Sequence, residues 1–144
     1  MTKVSQHFSL IALACGVSLA CAPPSLAVVV DLKADLKASN EVPPNESKGT
    51  GSVTATFDTD SNKLSWKGTV SGLIGTVTAA HFHAAEAGRN GAVAVPIMGA
   101  DKGSFEGSAT LTDNQAEDLM TGRWYVNIHT TTYKAGEIRG QVTK

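Results

Sequence analysis

The sequence predicts an all-β fold, an immunoglobulin-like antiparallel β-sandwich or barrel of about eight strands with one short helix. Residues 28–144 are rich in Val, Thr, Ala and Gly, and they contain few long helical patterns. Apolar and polar residues instead alternate in short runs, which is typical of half-buried strands. Turn residues separate these runs at short intervals, and this spacing favours a sandwich or a barrel.

Alternation of apolar and polar residues marks the first four strands. We predict them, in order, over residues 28–36, 51–58, 64–70 and 76–83. Asp60-Ser-Asn between the second and third runs favours a turn, so these two strands are expected to form a hairpin. A loop over residues 84–91 follows the fourth strand, and its Gly88-Arg-Asn-Gly segment is rich in residues that favour turns.

The second half of the domain contains four more strands and the helix. The strands are predicted over residues 92–98, 104–111, 124–130 and 137–142. Pro96 cannot donate a backbone hydrogen bond, so its strand is expected at an edge of the sheet. Thr112 and Gln115 have the spacing of a capping box, which predicts that a helix begins there, and Gly122 is expected to end it.

The N-terminal residues 1–27 have the layout of a secretory signal peptide. Lys3 precedes an apolar stretch over residues 8–22, and Ser25-Leu-Ala supplies a small-x-small cleavage site. The apolar stretch is shorter than the roughly 20 residues needed to span a bilayer. We therefore expect cleavage after position 27 and a single mature domain over residues 28–144, secreted or periplasmic.

Both cysteines, Cys15 and Cys21, lie within this predicted signal peptide, so the mature domain would contain neither a disulfide nor a thiolate metal site. Acylation of Cys21 in a lipoprotein is a weaker alternative. Without Lys3, the 12 Lys and Arg fall to 11 against 13 Asp and Glu, a net charge of −2. The domain has no block of like charge and no second long apolar stretch, which argues against nucleic-acid binding and a transmembrane segment.

The clearest chemical feature is a set of three histidines. Side chains alternate between the faces of a strand, so His81 and His83 are expected on one face, about 7 Å apart at Cα. If Phe82 and Ile128 point into the core, His129 joins them outside it, on a solvent-facing side that loops can reach. Neutral imidazole is a common ligand of zinc and copper. The pattern therefore predicts a metal site, provided that the two strands are neighbours.

Four other polar residues are candidates to support these histidines. Glu86 could complete the ligand set, while Asn127, Glu137 and Arg139 could fix the orientation of the rings. Glu137 and Arg139 occupy alternate positions, so they could instead form an ion pair or anchor the loop that carries Glu41. No catalytic residues are predicted, because the sequence has neither a nucleophile elbow nor a Walker-type loop.

Four separated blocks resemble the CHRD domain, which is named from chordin and also occurs in secreted microbial proteins. The resemblance extends over residues 32–142, and its blocks are Leu36-Lys-Ala-Ser-Asn-Glu-Val-Pro-Pro, Ala79-Ala-His-Phe-His with Gly88-Arg-Asn-Gly, Gly122-Arg-Trp-Tyr-Val-Asn-Ile-His-Thr and Gly136-Glu-Ile-Arg-Gly-Gln. It implies an immunoglobulin-like barrel with a distant likeness to copper/zinc superoxide dismutase, whose copper site also includes a His-x-His pair. The three histidines of residues 28–144 are too few for a dinuclear dismutase site.

Together these features predict an exported, non-catalytic binding module with a copper or zinc site at His81, His83 and His129. The alternative is a metal-free structural or protein-interaction domain of the cell envelope, in which the histidines order the loop over residues 84–91. Its partner would be an extracellular or envelope protein. An enzyme ranks third, since Glu86 alone lies near enough to serve as a general acid or base. The sequence does not define an oligomeric state.

Overall fold

The computed structural model describes residues 28–144, and the predicted signal peptide lies outside them. The elements in chain order are β1 (Val29–Lys37), β2 (Thr50–Asp58), β3 (Lys63–Ser71), β4 (Val77–Ala84), β5 (Ala92–Pro96), β6 (Ser104–Thr110), α1 (Asp113–Met120), β7 (Trp124–Thr130) and β8 (Ile138–Gln141). Short 3₁₀ turns cover Ala38–Asn40 and Ala100–Lys102. The all-β class, the eight strands and the single short helix are confirmed, with strand bounds within two residues of those predicted.

All eight strands form one antiparallel sheet in the order β5-β4-β7-β8-β1-β2-β3-β6. The predicted hairpin of β2 and β3 is confirmed. The sheet curls over itself, because Trp66 of β3 packs against Phe82 of β4 with ring centroids 5.2 Å apart. Four strands lie between β3 and β4 in the sheet order, so this contact is possible only across the interior of a nearly closed barrel.

The interior of the barrel is filled by the apolar residues of each alternating run. Along β1, for example, Leu32, Ala34 and Leu36 are buried while their neighbours are exposed. Phe82 and Ile128 are also buried in this core, at 1% and 0% exposure. Burying such side chains stabilises the fold by roughly 1.5–3 kcal/mol each before conformational entropy is counted.

The edge strand β5 is protected by the helix that follows β6. Pro96 lies in β5, so its predicted edge position is confirmed. The Gln115 side chain donates to the Ala94 carbonyl of β5 at 3.2 Å, which covers part of the open edge. Gln115 also completes the predicted capping box with Thr112, and this anchors the start of α1.

The outer face of β4, β7 and β8 is covered by three connecting segments. These are the strap (residues 38–49, between β1 and β2), the 85–91 loop after β4 and the 131–137 turn after β7. Tyr125 and Asn127 on this face of β7 are only 2% and 3% exposed. Within residues 28–144, the only α-helix is short, and none is long and apolar enough to cross a membrane.

Candidate metal centre

The sheet places the two histidine-bearing strands side by side. β4 pairs with β7, and the register sets Ala79 opposite His129, His81 opposite Asn127 and His83 opposite Tyr125. Residues opposite one another in an antiparallel pair share a face. The three histidines therefore lie on one side of the sheet, and the core residues of the same strands lie on the other.

The three imidazole rings form a compact group, which we call the histidine cluster (His81, His83 and His129). The ring centroids are 5.4 Å apart for His81 and His83, 5.2 Å for His81 and His129, and 5.8 Å for His83 and His129. One ring nitrogen from each residue lies within 4.8 Å of the others. That separation allows three nitrogens to surround one ion with bonds of about 2 Å after small side-chain movements.

Hydrogen bonds fix which nitrogens are available in two of these rings. His83 Nδ1 lies 3.0 Å from the Gly91 carbonyl oxygen, and His129 Nδ1 lies 3.0 Å from that of Lys134. A carbonyl oxygen can only accept, so Nδ1 carries the proton in each neutral ring. The lone pair is then on Nε2, which is the form of histidine that binds a metal ion.

Each ring of the histidine cluster also has a buried nitrogen without a partner. These atoms are His81 Nδ1, His83 Nε2 and His129 Nε2, and none makes a hydrogen bond to the described residues. Buried polar groups are nearly always hydrogen-bonded, so three such atoms in one group require an explanation. A shared metal ion would satisfy all three, and the donor set therefore fits zinc or copper.

Electrostatics favour the neutral, ligand form of two of the rings. Burial lowers the pKa of His81 below its usual 6.5, and the charge of His129 lowers it further. Burial also lowers the pKa of His83; a hydrogen bond to Gly91 opposes this shift, while the charges of His81, His129 and Arg139 add to it. Both imidazoles are therefore neutral at pH 7 and need not lose a proton before they bind a cation.

The family comparison agrees with the sequence blocks around this site. The family model described as CHRD domain matches residues 32–142, which is more than half of the chain.

The chain belongs to the CHRD domain family.

No curated protein and no solved structure matches the chain. The likeness of CHRD domains to copper/zinc superoxide dismutase therefore stays a prediction.

His83 is packed more tightly in this CHRD domain than the sequence suggested. The sequence predicted a solvent-facing side, but His83 is only 7% exposed, so that expectation is wrong for this residue. Its ring stacks on Tyr125 with centroids 4.9 Å apart and an interplanar angle of 5°. The Arg139 guanidinium also lies over the Tyr125 ring, with its carbon 3.6 Å from the ring centroid. Alternation could not predict this burial, because it comes from the connecting segments rather than from the strand.

Arg139 also holds the 85–91 loop against the sheet. Its guanidinium donates to the Asn90 side chain at 2.9 Å and to the Arg89 carbonyl. The Gly91 N–H donates to the Tyr125 hydroxyl at 3.1 Å. Arg139 and Tyr125 thus support His83 in two ways, through the ring stack and through the loop whose Gly91 carbonyl binds His83 Nδ1.

The structure places Glu86 and Glu137 away from the rings. Glu86 is exposed and lies outside the group of closely spaced ligand atoms, which contains only the histidines among residues 28–144. Glu137 is fully buried and accepts hydrogen bonds from Ser47 Oγ at 2.6 Å, Thr130 Oγ1 at 2.7 Å and the Ile74 N–H at 2.7 Å.

The structure distinguishes between the two roles predicted for Glu137 and Arg139, which were an ion pair and an anchor for the loop that carries Glu41. The only ion pair within residues 28–144 is between Arg123 and Asp118, so Glu137 and Arg139 do not form one. Glu137 instead anchors the strap that carries Glu41, through the hydrogen bond from Ser47. Burial raises the pKa of Glu137, but hydrogen bonds from Ser47, Thr130 and the backbone of the 72–76 segment outweigh it and lower the pKa overall.

Asn127 lies beside the histidine cluster without bonding to it. It faces His81 across the ladder, and its Oδ1 has no hydrogen-bond partner in the described part of the chain. The side chains of Asn127 and Glu41 both press against Gly136, where an added Cβ would lie 2.4 Å from Asn127 Oδ1 and 2.7 Å from Glu41 Oε1. Only glycine fits there, so these two side chains pack the 131–137 turn.

Glu41 is a second buried acid close to this site. It is 5% exposed, and its Oε1 lacks a hydrogen-bond partner among residues 28–144. Burial raises its pKa to about 7, against the opposing effect of the Arg139 charge. Near neutral pH, Glu41 is therefore divided between its protonated and ionised forms.

Sequence reasoning missed the backbone carbonyls that orient the rings, at Gly91 and Lys134. It had no means of finding them, because any residue type supplies a carbonyl. The alternation along β7 does place Tyr125 on the same face as Asn127 and His129, but it did not identify Tyr125 as a support for the rings.

Proposed function

We propose that this CHRD domain is an exported, non-catalytic binding module whose histidine cluster holds one zinc or copper ion. The observation that carries the proposal is a group of three histidines with one ring nitrogen each within 4.8 Å of the others, in which every ring also has a buried, unpartnered nitrogen. Two of the rings present Nε2 because their Nδ1 protons are committed to backbone carbonyls. Such outer hydrogen bonds are characteristic of metal-ligating histidines.

The donor set is consistent with Zn(II) and Cu(II). Imidazole suits both metals, and residues 28–144 contain no cysteine that would favour a thiolate site. Three protein ligands leave one position of a tetrahedral zinc site for water. Within residues 28–144, the group of closely spaced ligand atoms contains the three rings and no carboxylate, and we favour binding over catalysis.

We also propose that the protein is exported, on the basis of residues 1–27. Their positive start, apolar stretch and small-x-small cleavage site support secretion or a periplasmic location after cleavage near Ala27. A domain in that compartment would meet extracellular metal ions or envelope proteins.

A metal-free structural or interaction domain is the second candidate. The hydrogen bonds from His83 to Gly91 and from His129 to Lys134 favour it, because they order the 85–91 loop and the 131–137 turn without a metal ion. This role, however, uses only one nitrogen of each ring. It leaves the buried nitrogen on the opposite side of each ring without a partner, whereas a bound metal ion would supply one.

Calorimetric titration of residues 28–144 with Zn(II) and Cu(II) tests the proposal. We expect one ion to bind per chain, and we expect His83→Ala to weaken binding by at least about 100-fold, since a ligand is lost. Thr78→Ala is the matched control, because Thr78 is an exposed residue on the same strand and should leave the affinity unchanged. Equal, weak heats for all three proteins would instead support the metal-free domain.

A further inference from the structure

We infer that Asn45 is a positioning residue for the histidine cluster, and that metal binding is coupled to the order of the strap, which supplies no ligand. The inference rests on the proposed function, since it concerns binding at that same site.

The orientation of two ligands depends on connecting segments. His129 Nδ1 bonds to the Lys134 carbonyl of the 131–137 turn, and His83 Nδ1 bonds to the Gly91 carbonyl at the end of the 85–91 loop. A shift of either carbonyl rotates the ring and turns Nε2 away from the other ligands. The precision of the site is therefore set by whatever holds these two segments.

The strap contacts both segments. Asn45 Nδ2 donates to the Gly136 carbonyl at 3.3 Å and to the Glu137 carbonyl at 3.0 Å, close to Lys134 in the same turn. At the other segment, Asn90 Nδ2 donates to the Val42 carbonyl of the strap at 3.1 Å, one residue before Gly91. One connection between β1 and β2 thus holds both carbonyl-bearing segments.

The donor and acceptor atoms of the Asn45 side chain are all used in this arrangement. Its Oδ1 accepts a hydrogen bond from the Ser47 N–H at 3.0 Å, and its own N–H donates to the Ala38 carbonyl at 3.3 Å. Ser47 continues the connection by donating to Glu137 at 2.6 Å. The side chain therefore shapes the strap and fastens it to the turn, and no other residue type offers this combination of donors and acceptor at that length.

Thermodynamic reciprocity follows from this connection. If an ordered strap strengthens metal binding by some factor, metal binding must favour the ordered strap by the same factor. Local opening of a surface segment is visible as backbone hydrogen exchange. The coupling can therefore be measured in the unmodified protein as well as through substitution.

The first experiment is hydrogen exchange of residues 28–144 with and without Zn(II). We expect the strap amides of Glu41, Ser47 and Gly49 to exchange about 10-fold more slowly with zinc, as the range for outer hydrogen bonds of metal sites suggests. The Asp60 and Ser61 amides are the control, because they bond only to Asp58 in the distant β2–β3 turn and should not change. This measurement needs no variant, so a folding defect cannot obscure it.

The second experiment compares the Zn(II) affinities of Asn45→Ala and Glu46→Ala. We expect about 10-fold weaker binding for Asn45→Ala and wild-type binding for Glu46→Ala, since Glu46 is exposed in the same strap. Absence of both Zn(II) and Cu(II) binding by the wild type would overturn the proposed function itself, and the coupling with it. Wild-type zinc binding with unchanged strap exchange, or with wild-type affinity in folded Asn45→Ala, would overturn only the coupling.

Discussion

At the scale of single residues, the site depends on histidines that are held neutral and correctly protonated. Backbone carbonyls accept hydrogen bonds from the Nδ1–H groups of His83 and His129. The Nε2 lone pairs are therefore available before any ion binds. Burial lowers the pKa of His81 and His83 and disfavours their cationic forms. The protein thus supplies both the tautomer and the charge state that a metal ion requires.

Metal affinity is expected to depend on pH through these same rings. Protons compete with the ion only below the pKa of each ligand, and the pKa values of His81 and His83 lie below 6.5. We therefore expect most of the loss of Zn(II) affinity between pH 7.5 and pH 5 to occur below pH 6.5. Calorimetry at the three pH values checks this, and a steep loss already between pH 7.5 and 6.5 would contradict it.

Glu41 is expected to make stability depend on pH in the opposite sense to an ordinary carboxylate. Its pKa rises from 4.5 to about 7 on folding, so the folded state keeps a proton that the unfolded state releases between these values. The free energy of unfolding should therefore fall as pH rises through this window, by about 3 kcal/mol from this group.

Glu41→Gln isolates that contribution from those of the other titrating groups. Glu137, with a lowered pKa, and the neutral buried histidines make stability increase with pH, so the slope of the wild type alone is ambiguous. We expect urea unfolding to show Glu41→Gln gaining stability relative to the wild type between pH 5 and pH 8. An equal difference at both pH values would show that Glu41 does not titrate in this range.

Residue-level reasoning from the sequence went as far as periodicity allows. Alternation correctly placed His81 and His83 on the face opposite Phe82, because side-chain direction in a strand follows parity. It suggested Glu86 as a ligand because of its closeness in sequence, whereas that side chain points to solvent. The direction of a loop side chain follows from loop conformation, which periodicity does not encode.

At the scale of elements, the connecting segments convert a flat strand face into a buried polar site. The strap, the 85–91 loop and the 131–137 turn bind one another and the sheet through side chains that reach backbone carbonyls, such as Asn45, Asn90 and Arg139. Glu137 joins the strap to the segment before β4 and to the end of β7. The local order of each segment therefore depends on that of the others.

Glu137→Gln is expected to weaken the hydrogen bonds that hold these segments together. The amide keeps the size of the side chain but replaces one acceptor oxygen with a donor, which faces the hydroxyl of Ser47 or Thr130 and leaves a buried group unsatisfied. We predict a loss of about 1–3 kcal/mol in the free energy of unfolding, measured by urea denaturation. Glu46→Gln, in the exposed part of the strap, should stay within about 0.5 kcal/mol of the wild type, and equal stabilities for the two variants would contradict the prediction.

Elements were easier to predict than their connections. The capping box at Thr112 and Gln115 was found because it is a local pattern with a fixed spacing. The hydrogen bond that joins Asn45 of the strap to the distant 131–137 turn, by contrast, has no local signature in the sequence. Contacts across some 90 residues depend on which strands are neighbours, and alternation does not determine this.

At the scale of the whole molecule, β4 and β7 separate the core from the site. Their inward residues, including Phe82 and Ile128, fill the barrel, while their outward residues form the histidine cluster and its supports. The order β5-β4-β7-β8 brings together strands that are distant in sequence. From the sequence, the pairing of β4 with β7 could only be assumed, because several strand orders are compatible with the same alternation of apolar and polar residues.

A conservative change in the core should therefore lower stability without changing metal binding. Phe82→Leu removes part of the packing against Trp66 and Trp124, whose ring centroids lie 5.2 Å and 5.7 Å from that of Phe82. We expect a loss of about 1–3 kcal/mol in the free energy of unfolding and a Zn(II) affinity within about threefold of the wild type. A large loss of affinity in folded Phe82→Leu would show that core and site are not separable.

The most direct measurement is anomalous diffraction at the zinc edge from crystals of residues 28–144 grown with Zn(II). The metal-site proposal predicts one strong peak about 2.0–2.1 Å from a ring nitrogen of each of His81, His83 and His129. The absence of such a peak both from these crystals and from crystals grown with Cu(II), with the histidine rings arranged as they are without metal, would contradict the proposal.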